Sequence, residues 1–311
     1  MRILVTGGAG FIGSRLAEAL LEEGHEVVVL DNLSVGRREN VPGDAELVVG
    51  DILDREKLAS ALRGVEAVFH FAANPEVRVG EPETHIRANL LGTYNLLEEM
   101  RRAGVGDIVF ASTSTVYGEA EVLPTPESYG PLKPISVYGA SKLACEALIS
   151  SYTHTYDFRA VALRYANVVG PRAHRGVVRD FVRKLMENPR VLEILGDGTQ
   201  TKSYVWIGDA VDATLTAWRH MGEGFEPYNV GSVDSISVVE VADAVVEALG
   251  LDGVEYRFTG GVKGGRGWLG DVKRMHLSIE KIRRLGWEPR YTSREAVAKT
   301  ARLLAEAMSR A

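Results

Sequence analysis

Tyr138 and Lys142 stand four residues apart in the run Tyr138-Gly139-Ala140-Ser141-Lys142. On an α-helix that spacing stacks the two side chains on one face. An ammonium beneath a phenol favours the phenolate, and free tyrosine starts from a pKa of about 10. The pair therefore reads as a general base for work near neutral pH. Two further features give it a context. Gly7, Gly10 and Gly13 punctuate the run Thr6-Gly7-Gly8-Ala9-Gly10-Phe11-Ile12-Gly13. Glycines so spaced permit a tight turn and bring a diphosphate close to a helix N-terminus. Asp31 follows the apolar run Val27–Leu30. A carboxylate there accepts hydrogen bonds from an adenosine ribose and repels a 2′-phosphate, which favours NAD over NADP. Arg37 and Arg38 weigh the other way, since nearby arginines accommodate a 2′-phosphate.

Residues so placed need a parallel α/β scaffold. Ile3–Val5, Val27–Leu30, Glu46–Val49, Ala67–Ala73, Ile108–Thr113 and Val161–Tyr165 are short apolar runs. Strands buried on both faces of a parallel sheet read this way. Helical patterns alternate with them. One carries Leu16, Leu20 and Leu21 on one side, and one runs from about Pro82 to Ala103. The hydroxyls of Ser112 and Thr113 end the fifth strand, where such sheets open into a ligand crevice. Asn89 lies inside the long helix, an unfavourable place without a partner, so it is expected to be buried and bonded. His70 and Cys145 are expected to pack. Asp51 either bonds an adenine amino group or caps the helix near Asp54. After Pro171 the alternation loosens. Helices are expected over Val177–Glu187, from about Ala210 with Asp209 as its cap, and over Val238–Leu249, with Tyr228–Val230 returning to the main sheet.

With 311 residues, 45% of them hydrophobic, the chain can bury the core of one large domain or two unequal lobes. The net charge is −6 with both signs interspersed, so no nucleic-acid footprint is expected. The single cysteine excludes an intramolecular disulfide and a CxxC metal site. The chain starts directly with strand residues, and no apolar run approaches the ~20 residues of a membrane span. A cytoplasmic protein with neither a metal nor a membrane partner is the expectation.

Thr6–Gly13, Asp31, Thr113, Tyr138 and Lys142 together resemble the extended short-chain dehydrogenase/reductase superfamily. Asp31-Asn32-Leu33-Ser34, Thr113-Ser114-Thr115-Val116-Tyr117-Gly118 and Asn167-Val168-Val169-Gly170-Pro171 are similar to the UDP-glucose 4-epimerases within it. The resemblance runs over nearly the whole chain. It implies an α/β fold: a Rossmann-type doubly wound parallel sheet with a smaller C-terminal α/β substrate lobe. Residues 1–170, with a return segment at about 206–233, would bind NAD. Residues 171–205 and 234–311 would form the UDP-sugar lobe, the last helix packing back on the first domain.

The resemblance also implies roles. Gly7, Gly10, Phe11 and Ile12 would hold the NAD pyrophosphate. Asp31 would take the adenosine ribose, with Asn32, Leu33, Ser34 and Gly36 in the loop beyond, and Asp51 and Ile52 would flank the adenine. Phe71, Ala72, Ala73, Asn89 and Ser112 would line the inner cofactor path. Lys142 would bond the nicotinamide ribose, and Thr113 and Tyr138 would meet the sugar 4-hydroxyl. Asn167, Lys202 and Arg266 would grip the UDP group. Lys202 stands where the family usually has arginine, and lysine is a point charge rather than a bidentate fork. Arg266 lies further from Gly270-Asp271 than the family's arginine usually does. Met275 would border the hexose C2 substituent. A homodimer would pair helices near Leu90–Met100 and Leu143–Tyr152.

Fold alone does not choose the reaction. In related 4,6-dehydratases an Asp-Glu pair follows the threonine, and UDP-glucuronate decarboxylases usually carry a glutamate at the second of these two places. Here those places are Ser114 and Thr115. The resemblance thus implies epimerisation of a UDP-hexose at C4, with glucose/galactose and the N-acetylated sugars both open because Met275 is flexible and of middling bulk. A 4-ketosugar reductase, a dehydratase or decarboxylase and a non-catalytic NAD-sensing protein are the alternatives.

Overall fold

The computed structural model describes residues 1–78 and 81–309; residues 79–80 and 310–311, inside the expected domain boundaries, lie outside the described residues. In chain order the elements are β1 (Arg2–Thr6), α1 (Phe11–Glu22), β2 (Glu26–Asp31), β3 (Glu46–Val49), α2 (Arg55–Ala61), β4 (Ala67–His70), α3 (Pro82–His85), a π-helical turn (Ile86–Leu91), α4 (Gly92–Ala103) and β5 (Asp107–Thr113). There follow α5 (Val137–Tyr156), β6 (Arg159–Tyr165), β7 (Asn167–Val169), α6 (Val177–Glu187), β8 (Val191–Ile194), β9 (Thr201–Lys202), β10 (Tyr204–Trp206), α7 (Ile207–Arg219) and β11 (Gly224–Val230). The chain closes with β12 (Ile236–Ser237), α8 (Val238–Ala248), β13 (Glu255–Phe258), β14 (Arg274–Met275), α9 (Glu280–Arg283) and α10 (Ser293–Ser309).

Seven strands form one parallel sheet in the order β11-β6-β5-β4-β1-β2-β3. The chain reverses its direction of progress between β1 and β4, and at such a reversal the strand ends part into a crevice. Alternate residues of each strand face opposite sides. Ile3, Val5 and Val29 pack with Leu16 and Leu20 of α1 and with α7. Leu4, Val28 and Val68 pack with Leu58, Leu96, Met100 and Ile149 of α2, α4 and α5. Each fully buried leucine contributes about 1.5–3 kcal/mol over its exposed state. As expected, Tyr228–Val230 returns to this sheet, inside β11.

His70 is buried between the hydroxyls of Thr6 (2.7 Å) and Thr93 (2.9 Å). Burial, helped by the Lys142 charge, pushes it down to about 3, so it is neutral. It packs, as does Cys145, whose thiol is fully buried and donates to Asn89 O at 3.4 Å.

α10 closes a second core with α6, α8 and β10, where Ala296, Val297, Ala301 and Leu304 are buried together with Val169 of β7. Three expectations need correction. The helix expected over Pro82–Ala103 is interrupted by the π-helical turn. Asp209 is no cap. It sits inside the first turn of α7 and accepts from Arg290 N at 3.0 Å and Arg290 Nε at 2.6 Å. The fourth strand ends at His70, leaving Phe71–Ala73 as irregular backbone.

Candidate active site

The C-terminal ends of β1, β2, β4 and β5 open into a cleft of about 1220 Å³, closed on its far side by the segments around α6, β9 and β14. Its floor is the turn after β1. Gly7 there has φ +71, and a Cβ added to it would lie 2.6 Å from Ala72 N. A Cβ on Gly13 would lie 2.3 Å from Gly7 O. Only glycine lets β1, the end of β4 and the start of α1 meet this closely. Gly10, by contrast, is crowded only by Gly7 O at 3.1 Å and faces the cleft.

Asp31 ends β2 beside this turn. Its Oδ2 accepts from Ala9 N at 3.0 Å and its Oδ1 from Leu33 N at 2.8 Å. A carboxylate has about four acceptor sites, so two remain for a ligand. Asn32 donates to Asp51 Oδ2 at 2.7 Å, while Asp51 Oδ1 accepts from Leu53 N at 2.8 Å. The cap of α2 is Asp54, which accepts from Glu56 N and Lys57 N. That removes the capping role for Asp51 and leaves it as a cleft residue.

The opposite wall is built by β5 and α5. Ser136 caps α5, accepting from Gly139 N at 3.1 Å, which sets Tyr138 and Lys142 on the first turns facing the cleft. Thr113 ends β5 across from them. Tyr138 leaves part of its ring open to the cleft, but protein crowds the hydroxyl. Burial pushes that phenol up to about 12, and the Thr113 hydroxyl pulls it the other way. Lys142 is 3% exposed, with its Nζ 4.3 Å from the centre of the Phe110 ring, and burial pulls its ammonium down to about 8. Within the protein alone the burial of Tyr138 outweighs its neighbours, and the partner that lowers it is Thr113.

All the residues expected in the site line this cleft except Leu33, Asn89 and Arg266. Leu33, at φ +58, gives its amide to Asp31 and turns the loop. Asn89 is buried in the π-helical turn, accepts from Asn74 N at 2.7 Å and donates to Ser141 Oγ at 2.9 Å. It splices the β4 loop to α5. Arg266 points to the outer side of its loop, where Glu119 holds it at 2.9 Å together with the carbonyls of Lys263 and Asp271. Lys202 does line the cleft, paired with Asp271 and 5.1 Å from the Trp268 ring centre. Met275 lies beside Lys202 across the β14–β9 pairing.

Among the cleft residues that carry no signal in the sequence are Arg78, His174, Arg175, Arg179, Gln200 and Trp268. Gln200 Oε1 and Trp268 Nε1 are buried and have no hydrogen-bond partner among the described residues. Such groups are costly unless something satisfies them.

Residues 3–231 match the NAD dependent epimerase/dehydratase family. The chain is 38% identical to a UDP-glucose 4-epimerase of Mycolicibacterium smegmatis over 316 residues, covering 96% of this chain and 97% of that protein. Among solved structures it is similar to a UDP-galactose 4-epimerase at 50% identity, with a TM-score of 0.89, 99% of this chain and 100% of that one covered. It is also similar to the Thermus thermophilus UDP-glucose 4-epimerase in complex with NAD at 38% identity, with a TM-score of 0.87, 97% of this chain and 99% of that one covered.

Proposed function

This chain belongs to the NAD-dependent epimerase/dehydratase family, and from that premise we propose that it interconverts UDP-glucose and UDP-galactose at C4 through a transient 4-keto sugar. The observation that carries this reading is the wall at the end of β5. Thr113, Tyr138 and Lys142 share the cleft there, and Ser114 and Thr115 follow Thr113. Those two places thus offer hydroxyls and no carboxylate for elimination or decarboxylation.

The cleft fits NAD: the glycine turn leaves its floor open, and Asp31 keeps free acceptor sites. Gly7, Gly10, Phe11 and Ile12 would hold the pyrophosphate, Asp31 the adenosine ribose, Asp51 and Ile52 the adenine, and Lys142 the second ribose. When bound, NAD supplies the hydride acceptor and donor and a cationic ring whose field favours the phenolate. Tyr138 Oη then takes the proton of the sugar 4-hydroxyl and returns it, with Thr113 holding that hydroxyl in line. Lys142 lends a fixed positive charge beside them.

Incubated with UDP-galactose, the purified protein is expected to yield UDP-glucose, with no steady rise in reduced-nicotinamide absorbance. A product lacking water or carbon dioxide, or stoichiometric use of NADH, would overturn the reading. Parallel incubation with UDP-GlcNAc tests the N-acetylated sugars.

Residues 1–170 with the return segment 206–233 form the NAD-binding domain in this reading, and 171–205 with 234–311 the UDP-sugar lobe. Asn167, Lys202 and Met275 face the nucleotide-sugar, and the buried N–H of Trp268 and carbonyl of Gln200 are groups it can satisfy. Lys202→Ala is expected to raise the KM for the UDP-sugar about ten-fold or more, the scale of a charge-assisted bond. Arg266→Ala is expected to change KM less than about three-fold, since its guanidinium is held outside the cleft. A reversed order in steady-state kinetics would restore Arg266 as the diphosphate ligand.

The protein acts in the cytoplasm in this reading, as a homodimer. Leu91 and Tyr94, each 41% exposed, carry apolar surface outward near α4, and Tyr156 does so at the end of α5. Sedimentation at micromolar concentration is expected to give twice the chain mass, and Leu91→Glu/Tyr94→Glu a monomer. A wild-type monomer would refute the pairing.

A further inference from the structure

Below the reacting groups lies a charge cluster that the reading above leaves unused. Glu146 follows Lys142 by one turn on α5, as Lys142 follows Tyr138, so the three share a face. Its side chain is 3% exposed. Glu146 Oε1 accepts from Ser112 Oγ. Arg164 Nη2 donates to Glu146 Oε2 at 2.7 Å, and Arg164 Nε to Oε1 and Oε2 at 3.1 and 3.3 Å. Ser112 immediately precedes Thr113, and Arg164 sits directly opposite it on β6. Arg164 Nη1 donates to Tyr117 Oη at 2.9 Å, and that hydroxyl donates to Asn229 Oδ1 on β11 at 2.7 Å. One carboxylate thus joins the catalytic helix to the strand that ends in Thr113, and through Arg164 to the sheet's edge.

Packing alone does not call for a charge here. Desolvation offsets much of the attraction in a buried ion pair, and apolar residues of like volume hold elements together as well. What sets the place apart is Lys142. Around its ammonium stand Phe110 on β5, with its ring centre 4.3 Å away, His70 on β4 and Cys145 on its own helix, while Arg164 on β6 is engaged by Glu146. His70 is neutral, and burial holds the Cys145 thiol protonated at neutral pH. Cys145 and Glu146 both act against the burial of Lys142, and of the two the carboxylate is the one that carries a standing negative charge.

We propose that Glu146 is a positioning residue of the reaction: it holds α5 in register with Thr113 and keeps the positive charge on Lys142. The inference rests on the roles given above to Tyr138 and Lys142.

Glu146→Gln keeps the shape and the acceptor oxygen but removes the charge. The charge on Lys142 is present below its pKa and lost above it, so removing a nearby anion moves the loss to lower pH. In the NAD-containing enzyme, the upper limb of the kcat–pH profile is expected to move down by about one pH unit. The Lys142 ε-carbon, followed by NMR titration, is expected to move with it. Glu146→Asp, which keeps the charge, is expected to lower kcat while leaving the upper limb in place. Should the single variant fail to fold because Arg164 is left unpaired, Arg164→Gln, which removes the opposing cation and keeps the Glu146 charge, is expected to move the limb up. A folded variant of either kind whose limb and titration match the parent protein overturns the proposal. So does an Asp variant that shifts as far as Gln. If Tyr138→Phe is inactive beside such a result, only this proposal fails; an active Tyr138→Phe removes the reading beneath it.

Discussion

Replacing Tyr138 by phenylalanine is expected to lower turnover by about a hundred- to ten-thousand-fold, the range of a positioned acid–base group. The change removes one oxygen. The ring keeps its edge-on contact with His85, whose centroid is 6.1 Å away, and α5 keeps its Ser136 cap. NAD content and melting temperature should therefore match the parent protein, while UDP-galactose is no longer converted. Thr113 cannot substitute, because a threonine hydroxyl is far less acidic than the phenol whose proton it helps to release. Near-normal kcat in Tyr138→Phe would mean that the proton leaves by another route, and the 4-keto mechanism would have lost its base. The protein's own residues hold this phenol near 12. A corollary is that Tyr138 absorbance should titrate far above neutral pH in protein stripped of NAD, and lower in protein that carries it.

Gly7→Ala carries the second large effect. A Cβ there would stand 2.6 Å from Ala72 N, 2.7 Å from the Phe71 carbonyl carbon and 2.8 Å from Ala72 Cα. All three are backbone atoms, which cannot swing aside as a flexible side chain does. The residue also holds φ +71, where a side chain adds about 1–3 kcal/mol of strain. The turn must open, separating the end of β1 from the end of β4 and displacing the start of α1. The expected outcome is loss of NAD from the purified protein, at least ten-fold weaker rebinding, and a melting temperature lower by several degrees. Gly24→Ala is the control. Gly24 has φ +81 with nothing within 4 Å of an added Cβ, so it tests the backbone strain without the collision. If both variants keep NAD equally well, the floor of the cleft is not where the pyrophosphate lies.

How much of this was legible in advance depended on the range of the interaction concerned. The strands declared themselves because each is a short apolar run buried on both faces, and that pattern survives whatever packs on it. The glycine turn, the Asp31 position and the Tyr138–Lys142 spacing were equally visible, since each is a constraint between residues few places apart. Asn89 was read correctly as buried and bonded, but its partners, Asn74 and Ser141, lie on other elements. Arg266 is alike in this: the partner of its side chain, Glu119, lies 147 residues earlier. Gln200 and Trp268 carried no signal at all, because an amide and an indole become informative only when burial leaves them without a partner.

The sequence by itself determined the alternating α/β order, the dinucleotide cradle, the pairing of phenol and amine on one helix face and the hydroxyls where other chemistries need carboxylates. These follow from chain geometry over one or two turns. The tertiary structure alone decided which cations face the cleft, where the last helix packs, that Glu146 and Arg164 meet beneath the catalytic helix, and that Tyr138 is held as a phenol by its surroundings. Acidity and ion pairing depend on desolvation and on partners brought together across the whole fold, and neither is written in the spacing of neighbouring residues.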